Sequence, residues 1–184
     1  LAAASFFRAC YLSCFLKPAS ERVLYRIIQK RKVRRILELG LGDGARAVRM
    51  IEMAGRNTSG GRVTYTSTDL FEGRAPGDGP GLTLKAAHRL LGATDARVRL
   101  VPGDPGSALA RTANELKKVD LVVLSTCEDQ QSMDRAWFYL PRVMQPECCV
   151  IREEVEPGVG TVLRVLGAAE IHRLATTDTL RRAA

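Results

Sequence analysis

Histidine, tryptophan and long apolar runs are what this chain has least of. Its 184 residues include two His and one Trp, and aromatic residues make up only 5%. Two His cannot build a His-rich metal centre, which takes three or more such ligands. A platform for stacking bases needs several rings in a groove, and so few aromatics do not supply it. Cysteine stops at five, an odd number that leaves at least one thiol over from any disulfide set. Cys10 and Cys14 stand four apart on an expected helix, and Cys148 and Cys149 adjoin in an expected strand. No pair has the two-residue spacing of a zinc knuckle or redox motif. Reduced thiols and a cytoplasmic location are therefore expected. No run reaches the ~18–20 apolar residues of a membrane span. The nearest, Leu1 to Leu16, has thirteen apolar residues in sixteen, with Arg8 in its middle rather than ahead of it as in a secretion signal. Phe7, Tyr11, Cys14 and Phe15 fall at helical spacing. The expectation is a helix docked on the domain or on a second copy, as a homodimer contact.

Hydrophobic residues form 46% of the chain and charged residues 26%, which excludes a disordered chain or a collagen-like repeat. The length suits one domain with a buried core. Lys and Arg number 28 against 20 Asp and Glu, for a net charge of +8. Ten of those basic residues lie between Lys17 and Arg49, against Glu21, Glu38 and Asp43. The excess therefore describes the N-terminal shoulder better than any later segment. It raises nucleic acid, anionic lipid or a small anion as partners without choosing among them.

Strand and helix patterns alternate along the chain. Pro18 and Ser20 open a helix with Val23, Leu24, Ile27 and Ile28 on one face. Strands are expected at Ile36 to Leu39, Val63 to Thr68, Val98 to Val101, Leu121 to Leu124 and Cys148 to Ile151. Helices are expected at Ala45 to Ala54, Leu82 to Leu91, Ser107 to Lys117 and Met133 to Tyr139. Thr161 to Leu166 reads as a sixth strand or as irregular tail, with Ala168 to Arg182 as a final helix. This order implies an α/β fold with a doubly wound, mostly parallel sheet (residues 35–184) behind an N-terminal helical segment (residues 1–34). Ligands in such sheets bind beyond the carboxyl ends of the strands. That directs attention to Gly40–Gly44, Asp69, Asp104 and Ser125–Asp129.

Glu38-Leu39-Gly40-Leu41-Gly42-Asp43-Gly44 joins the first strand to its helix. Gly40-x-Gly42-x-x-Ala45 fits a dinucleotide turn. Three details argue against that reading. Glu38 and Asp43 place negative charge where a pyrophosphate would lie, and Asp69 follows Gly40 by 29 residues rather than ~20. A carboxylate-lined glycine turn suits a cationic ligand carrying an ammonium or sulfonium.

The segment from Ile36 to Glu154 resembles the class I S-adenosylmethionine-dependent methyltransferases, which have a Rossmann-like fold. Glu38 to Gly44 matches their first motif, acid-x-Gly-x-Gly-x-Gly, without a break. The resemblance implies S-adenosylmethionine (SAM) as cofactor. It implies contacts from Glu38, Gly40, Gly42 and Gly44, and a ribose-binding carboxylate at Asp69 with Leu70 beside it. Val101-Pro102-Gly103-Asp104 resembles the Gly-Asp motif at the adenine edge. Asp120 to Leu124 resembles the strand whose end, at Ser125, faces the methyl acceptor. The layout is nearest to the small-molecule O-methyltransferases, whose metal-binding Asp is replaced here by Ser125-Thr126, so no metal site is expected. The Asn/Asp-Pro-Pro-aromatic signature of amino-methylating DNA and RNA branches is missing, because Ser125-Thr126-Cys127-Glu128 stands there.

No catalytic base is named. Glu128, Asp129 and Glu153 are the nearest carboxylates by topology, and each also reads as a surface group. His88 and His172 read as helix-surface or packed residues. The loop from Gly73 to Gly81 is a lid or a tolerated insertion, and Phe71 and Glu72 are placed to pack against the adenosine. Three functions follow: a SAM-dependent methyltransferase acting on a small-molecule acceptor, a non-catalytic methyltransferase-like binding or scaffold protein, and an RNA-binding or RNA-methylating protein. The third would use Lys30, Arg31, Lys32, Arg34 and Arg35 and is not favoured.

Overall fold

The computed structural model describes residues 11–14, 21–56, 61–75, 81–116, 118–125 and 130–183. In chain order the elements are α1 (Glu21–Lys30), β1 (Arg35–Leu39), α2 (Ala45–Gly55), β2 (Thr64–Asp69), α3 (Leu84–Gly92), β3 (Arg97–Pro102), α4 (Pro105–Thr112), β4 (Val119–Leu124), α5 (Gln130–Val143), β5 (Met144–Glu156), β6 (Gly160–Leu166) and α6 (Ala168–Ala183). The strands form one sheet in the order β3-β2-β1-β4-β5-β6. The first five are parallel, and β6 returns antiparallel to β5. This is the expected doubly wound α/β architecture.

Side chains alternate across each strand, and the two sheet faces bury separate cores. Ile36, Tyr65, Leu121, Val123 and Ile151 face α1, α2 and α3, through Leu24 and Ile28, Met50 and Met53, and Ala87 and Leu91. Leu37, Leu39, Val122, Leu124 and Val150 face α4, α5 and α6, through Leu109, Trp137 and Leu140, and Ile171 and Leu174. Helix α1 thus packs into the same core as the sheet that follows it. At the amino end of β1, Asp120 Oδ2 accepts from the amides of Arg34 (2.7 Å) and Arg35 (2.8 Å), tying β1 to β4.

Register decides which residues share the other end. Leu39 lies beside both Thr68 and Leu124, and Thr68 lies beside Val101. Gly40, Asp69, Gly103 and Ser125 therefore leave four adjacent strands side by side. The amide of Gly40 donates to Thr68 O (2.9 Å), Gly103 to Asp69 O (2.8 Å) and Ser125 to Leu39 O (2.9 Å).

Several boundaries differ from the sequence reading. Strand β5 spans thirteen residues rather than Cys148 to Ile151, because only its middle is fully buried, while Val150 to Glu156 pairs with β6 and Met144 pairs with Val119 of β4. The tail does form a sixth strand and a final helix. Phe71, expected at the adenosine, is a core residue only 3% exposed, and Glu72 instead accepts from Leu84 N (2.9 Å) at the start of α3. The apolar segment Leu1 to Leu16 is described only at residues 11–14, where Leu12 is buried. Its other positions, and residues 76–80 and 126–129, lie outside the described residues. No helix among the described residues is long and apolar enough to cross a membrane.

Candidate functional site

The turn from Gly40 to Gly44 closes over a cleft of about 360 Å³ lined by Gly42, Asp43, Arg46, Arg49, Ser125 and Glu153, among others. Gly40 has φ +94°, and a Cβ there would come within 2.8 Å of Ser125 Cβ, so no larger residue fits against the end of β4. Gly42 has φ +61° and the opposite surroundings: a Cβ on it would meet nothing within 4 Å. The backbone at Gly42 faces open space.

Behind the turn stands a buried charge network. Glu38, fully buried on β1, accepts from Arg46 Nε (2.8 Å) and from the Tyr65 hydroxyl. Tyr65 reaches Glu38 because it lies two residues along the neighbouring strand on the same face. Arg46, from the first turn of α2, also contacts Glu153 Oε1 on β5 (3.3 Å) and donates to Ser125 Oγ. Ser125 Oγ in turn donates to Gly40 O (2.6 Å). Burial pushes the Glu38 carboxyl above its usual range, while the Arg46 charge and the Tyr65 hydroxyl pull it back. A guanidinium stays protonated throughout the ordinary pH range, so Arg46 sets a fixed positive charge against the Glu38 carboxyl. Burial lowers the Arg46 pKa, and the charges of Glu38 and Glu153 more than reverse this.

Asp69, at the carboxyl end of β2, is equally engaged. Its Oδ2 accepts from the amides of Leu41 (2.7 Å) and Gly42 (3.0 Å), so it holds the glycine turn in place. Its Oδ1 accepts from Phe71 N (3.2 Å) and Arg74 Nη2 (2.6 Å). Arg49 pairs with Glu21 (2.8 Å) at the far wall. Asp104 caps α4, accepting from Ser107 N (3.0 Å) and from the Ser132 hydroxyl, with Arg135 at 3.6 Å. Burial opposes its ionisation, yet the hydrogen bonds from Ser107 and Ser132 prevail and hold it down to about 2.

The residues singled out in the sequence thus fall into two sets. Gly40, Gly42 and Ser125 line one cleft, with Glu38 beneath it, Asp69 behind the turn through Leu41 and Gly42, and Gly103 beside Asp69. Gly44 caps α2, Leu70 begins the short 3-10 turn Phe71–Gly73, and Asp104 is turned toward α4 and α5. His88 and His172 are exposed on α3 and α6, away from the cleft. Among the described residues no three His, Cys, Asp or Glu side chains group to hold a metal ion. Glu128 and Asp129 lie outside the described residues. Arg46, Tyr65 and Arg74 were missed. Their one signal was distance along the chain, two residues past the last glycine for Arg46 and five past Asp69 for Arg74. The cleft is therefore lined by guanidiniums as well as by acids and glycine.

No family model matches the chain, and no curated protein matches it by sequence. Solved structures do match. An O-methyltransferase from Bacillus cereus, in complex with SAH, superposes with TM-score 0.57 at 16% identity, over 95% of this chain and 78% of that one. The chain has the class I methyltransferase fold. The O-methyltransferase TomG from Streptomyces achromogenes, in complex with SAM, matches with TM-score 0.56 at 14% identity over 94% of this chain and 76% of its own. A SAM-dependent methyltransferase from Agrobacterium tumefaciens gives 0.54 at 11% identity, over 87% of this chain and half of its own length. At these identities the likeness concerns the methyltransferase fold alone.

Proposed function

We propose that the chain is a SAM-dependent methyltransferase acting on a small-molecule acceptor. The observation that carries this reading is the open glycine turn over the cleft, at the end of the sheet where such folds take their ligands. The cleft volume lies within the roughly 300–1,000 Å³ usual for small-molecule sites. Five carboxylates line or back it (Glu21, Glu38, Asp43, Asp69, Glu153) against three guanidiniums (Arg46, Arg49, Arg74), a balance that suits a ligand of net positive charge. The SAM-bound and SAH-bound neighbours of the same fold support the choice of ligand.

When bound, SAM supplies a methyl group already activated on a sulfonium. The work left to the protein is to hold an acceptor in line with it, at ~3–3.5 Å. Gly42 presents bare surface, and the first turn of α2 backbone N–H groups, to the amino-acid end. Asp69 would hold the ribose once Arg74 yields Oδ1, and Leu70, Gly103 and the backbone at Asp104, whose carboxylate caps α4, would flank the base. Glu38 acts through Arg46, since its own oxygens are spent on Arg46 and Tyr65. Ser125 and Glu153 face the acceptor side. Glu153 is the lining carboxylate on that side, and it is held by Arg46 at 3.3 Å.

One observation favours the non-catalytic reading. Both Asp69 oxygens are fully engaged, so ligand binding has to displace Arg74. Calorimetry with SAM, followed by methyl-transfer assays over a panel of small phenols, amines and carboxylates, tests both readings. The proposal expects SAM binding that Asp69→Ala weakens at least about tenfold, equivalent to about 1.4 kcal/mol. Binding without turnover would favour the binding-module reading. Absence of binding at hundreds of micromolar would sink the proposal.

A further inference from the structure

A second cavity, of about 470 Å³, opens on the opposite face of the sheet from the Glu38–Arg46 network, at the amino ends of β1, β2 and β3. In a doubly wound sheet both faces are ordinarily covered by helices and read as apolar. Here α4 lies over the carboxyl half, and the amino half of this face carries Arg35, Thr64, Thr66, Arg97 and Arg99, with Glu115 at the margin. The pattern is visible along the strands. In β3 Arg97 and Arg99 alternate with Val98 and Leu100, which pack into the core on the other side. In β2 Thr64 and Thr66 alternate with Tyr65 and Ser67. Register brings the two sets together, because Thr64 lies beside both Arg35 and Arg97, and Thr66 beside Arg99.

Three guanidiniums on adjacent strands around one cavity repel each other unless negative charge sits among them. The carboxylate present is insufficient. Glu115 pairs with Arg99 at 2.5 Å and is 63% exposed. Arg35 gives one N–H to Lys118 O (2.7 Å), a neutral acceptor. Among the described residues no carboxylate pairs with Arg97. Thr66 is 3% exposed, so a hydroxyl occupies an interior position where valine would pack without a polar group to satisfy. Guanidinium forks beside threonine hydroxyls are the donor set that a phosphate takes.

The geometry points to this cavity as a second ligand site, separate from the SAM cleft, that takes a small phosphorylated molecule. The phosphate lies over Thr64 and Thr66 and accepts hydrogen bonds from Arg97 and Arg99, with Arg35 closing the third side. The rest of the ligand lies toward Leu116 and Val119 in the same cavity. This inference does not depend on the methyltransferase reading, because it uses none of the cleft residues.

The test is an amide-resolved NMR titration of the full chain with inorganic phosphate, at constant ionic strength set with chloride. Saturable shifts confined to Thr64, Thr66, Arg97, Arg99 and their neighbours are expected. The double variant Arg97→Gln/Arg99→Gln should weaken the fitted affinity at least about tenfold, the loss of roughly one charge-assisted interaction. Its spectrum and melting temperature, compared with the parent, report whether it is folded. If it is not, Arg97→Lys serves instead and should retain weakened binding. Shifts that follow ionic strength, appear equally at Lys30 to Arg35, or survive the double variant would overturn the proposal. So would shifts centred on Arg49 and Arg74. A single-stranded RNA titrated in parallel, binding more tightly than phosphate and losing affinity on Lys30 and Arg31 variants but not on the double variant, would also overturn it in favour of a nucleic-acid surface.

Discussion

Removing the Arg46 guanidinium should do more damage than a surface substitution, and the damage should depend on pH. Arg46→Met keeps most of the side-chain length and helix propensity while deleting the charge that faces Glu38. Glu38 has no exposed surface, and its remaining partner would be the Tyr65 hydroxyl. Breaking a buried pair by removing one member costs roughly 3–5 kcal/mol. For a domain of this size each kcal/mol lowers the melting temperature by about 2–4 °C, so the expected drop is roughly 6–20 °C. The pH dependence follows from the direction of the Glu38 shift. Its folded-state pKa is raised, so between the unfolded and folded values the native state holds more protons. Stability therefore falls as pH rises through that window. Without Arg46 the window extends further upward, so the variant should lose more stability at pH 8 than at pH 5.5. Adding Glu38→Gln should recover much of the loss, since a neutral amide no longer needs the guanidinium. Urea unfolding of parent, single and double variants at the two pH values measures all of this. A loss below about 1 kcal/mol, the scale of a surface pair, would refute the buried-pair reasoning. So would a pH-independent deficit, or a failure of Glu38→Gln to rescue.

Three further outcomes follow from the same geometry. Gly42→Ala should cost about 1–2 kcal/mol, the price of left-handed backbone for a residue with a Cβ, whereas Gly40→Ala should cost more because of its 2.8 Å approach to Ser125; equal losses in urea unfolding would show that the approach is not tight. Asp104→Ala should remove the cap of α4 and cost about 0.5–2 kcal/mol. Because the Asp104 pKa is lowered from 3.8 to about 2, its contribution is present above pH 4 and lost as pH falls through 2, a limb of the acid-unfolding curve that the variant should lack. Desolvation, with Cys149 and Asp120 nearby, raises the Cys148 thiol to about 12, so mass-resolved alkylation at pH 8 should label exposed Cys14 well before Cys148; the reverse order would contradict the burial.

The alternation of strands and helices, the glycine turn and the placing of Asp69, Gly103 and Ser125 at strand ends were legible in the sequence because each depends on local chemistry. An apolar run ending in glycines makes a central strand, and a carboxylate at a strand end marks the edge where ligands bind. What was hidden depends on register. Nothing local to Arg46 says that it bends back onto Glu38, because that requires α2 to lie over β1 and β5 to bring Glu153 alongside. Asp69 was read as a ligand carboxylate, and its hydrogen bonds to Leu41 and Gly42 also make it the brace of the glycine turn. Phe71 was misplaced for a similar reason: with φ +49° at this residue, the chain turns its ring into the core rather than toward the cleft. The Arg and Thr alternation in β2 and β3 was visible as spelling, but its meaning needed the lateral pairing of three strands.

The pairing of β1 with β4 has a consequence for how the molecule assembles. These strands are neighbours in the middle of the sheet, yet the Ser125 to Gly40 hydrogen bond spans 85 residues of chain. Contacts that close so long a loop come with a large entropic cost and form slowly compared with local ones. The β1–β2–β3 half and the β4–β5–β6 half can each gather neighbours early, while the seam between them waits. Gly40 and Ser125 sit on that seam, so the cleft does not exist until the halves join. A ligand of the cleft then binds only the finished fold, and its binding energy adds directly to the stability of that last junction.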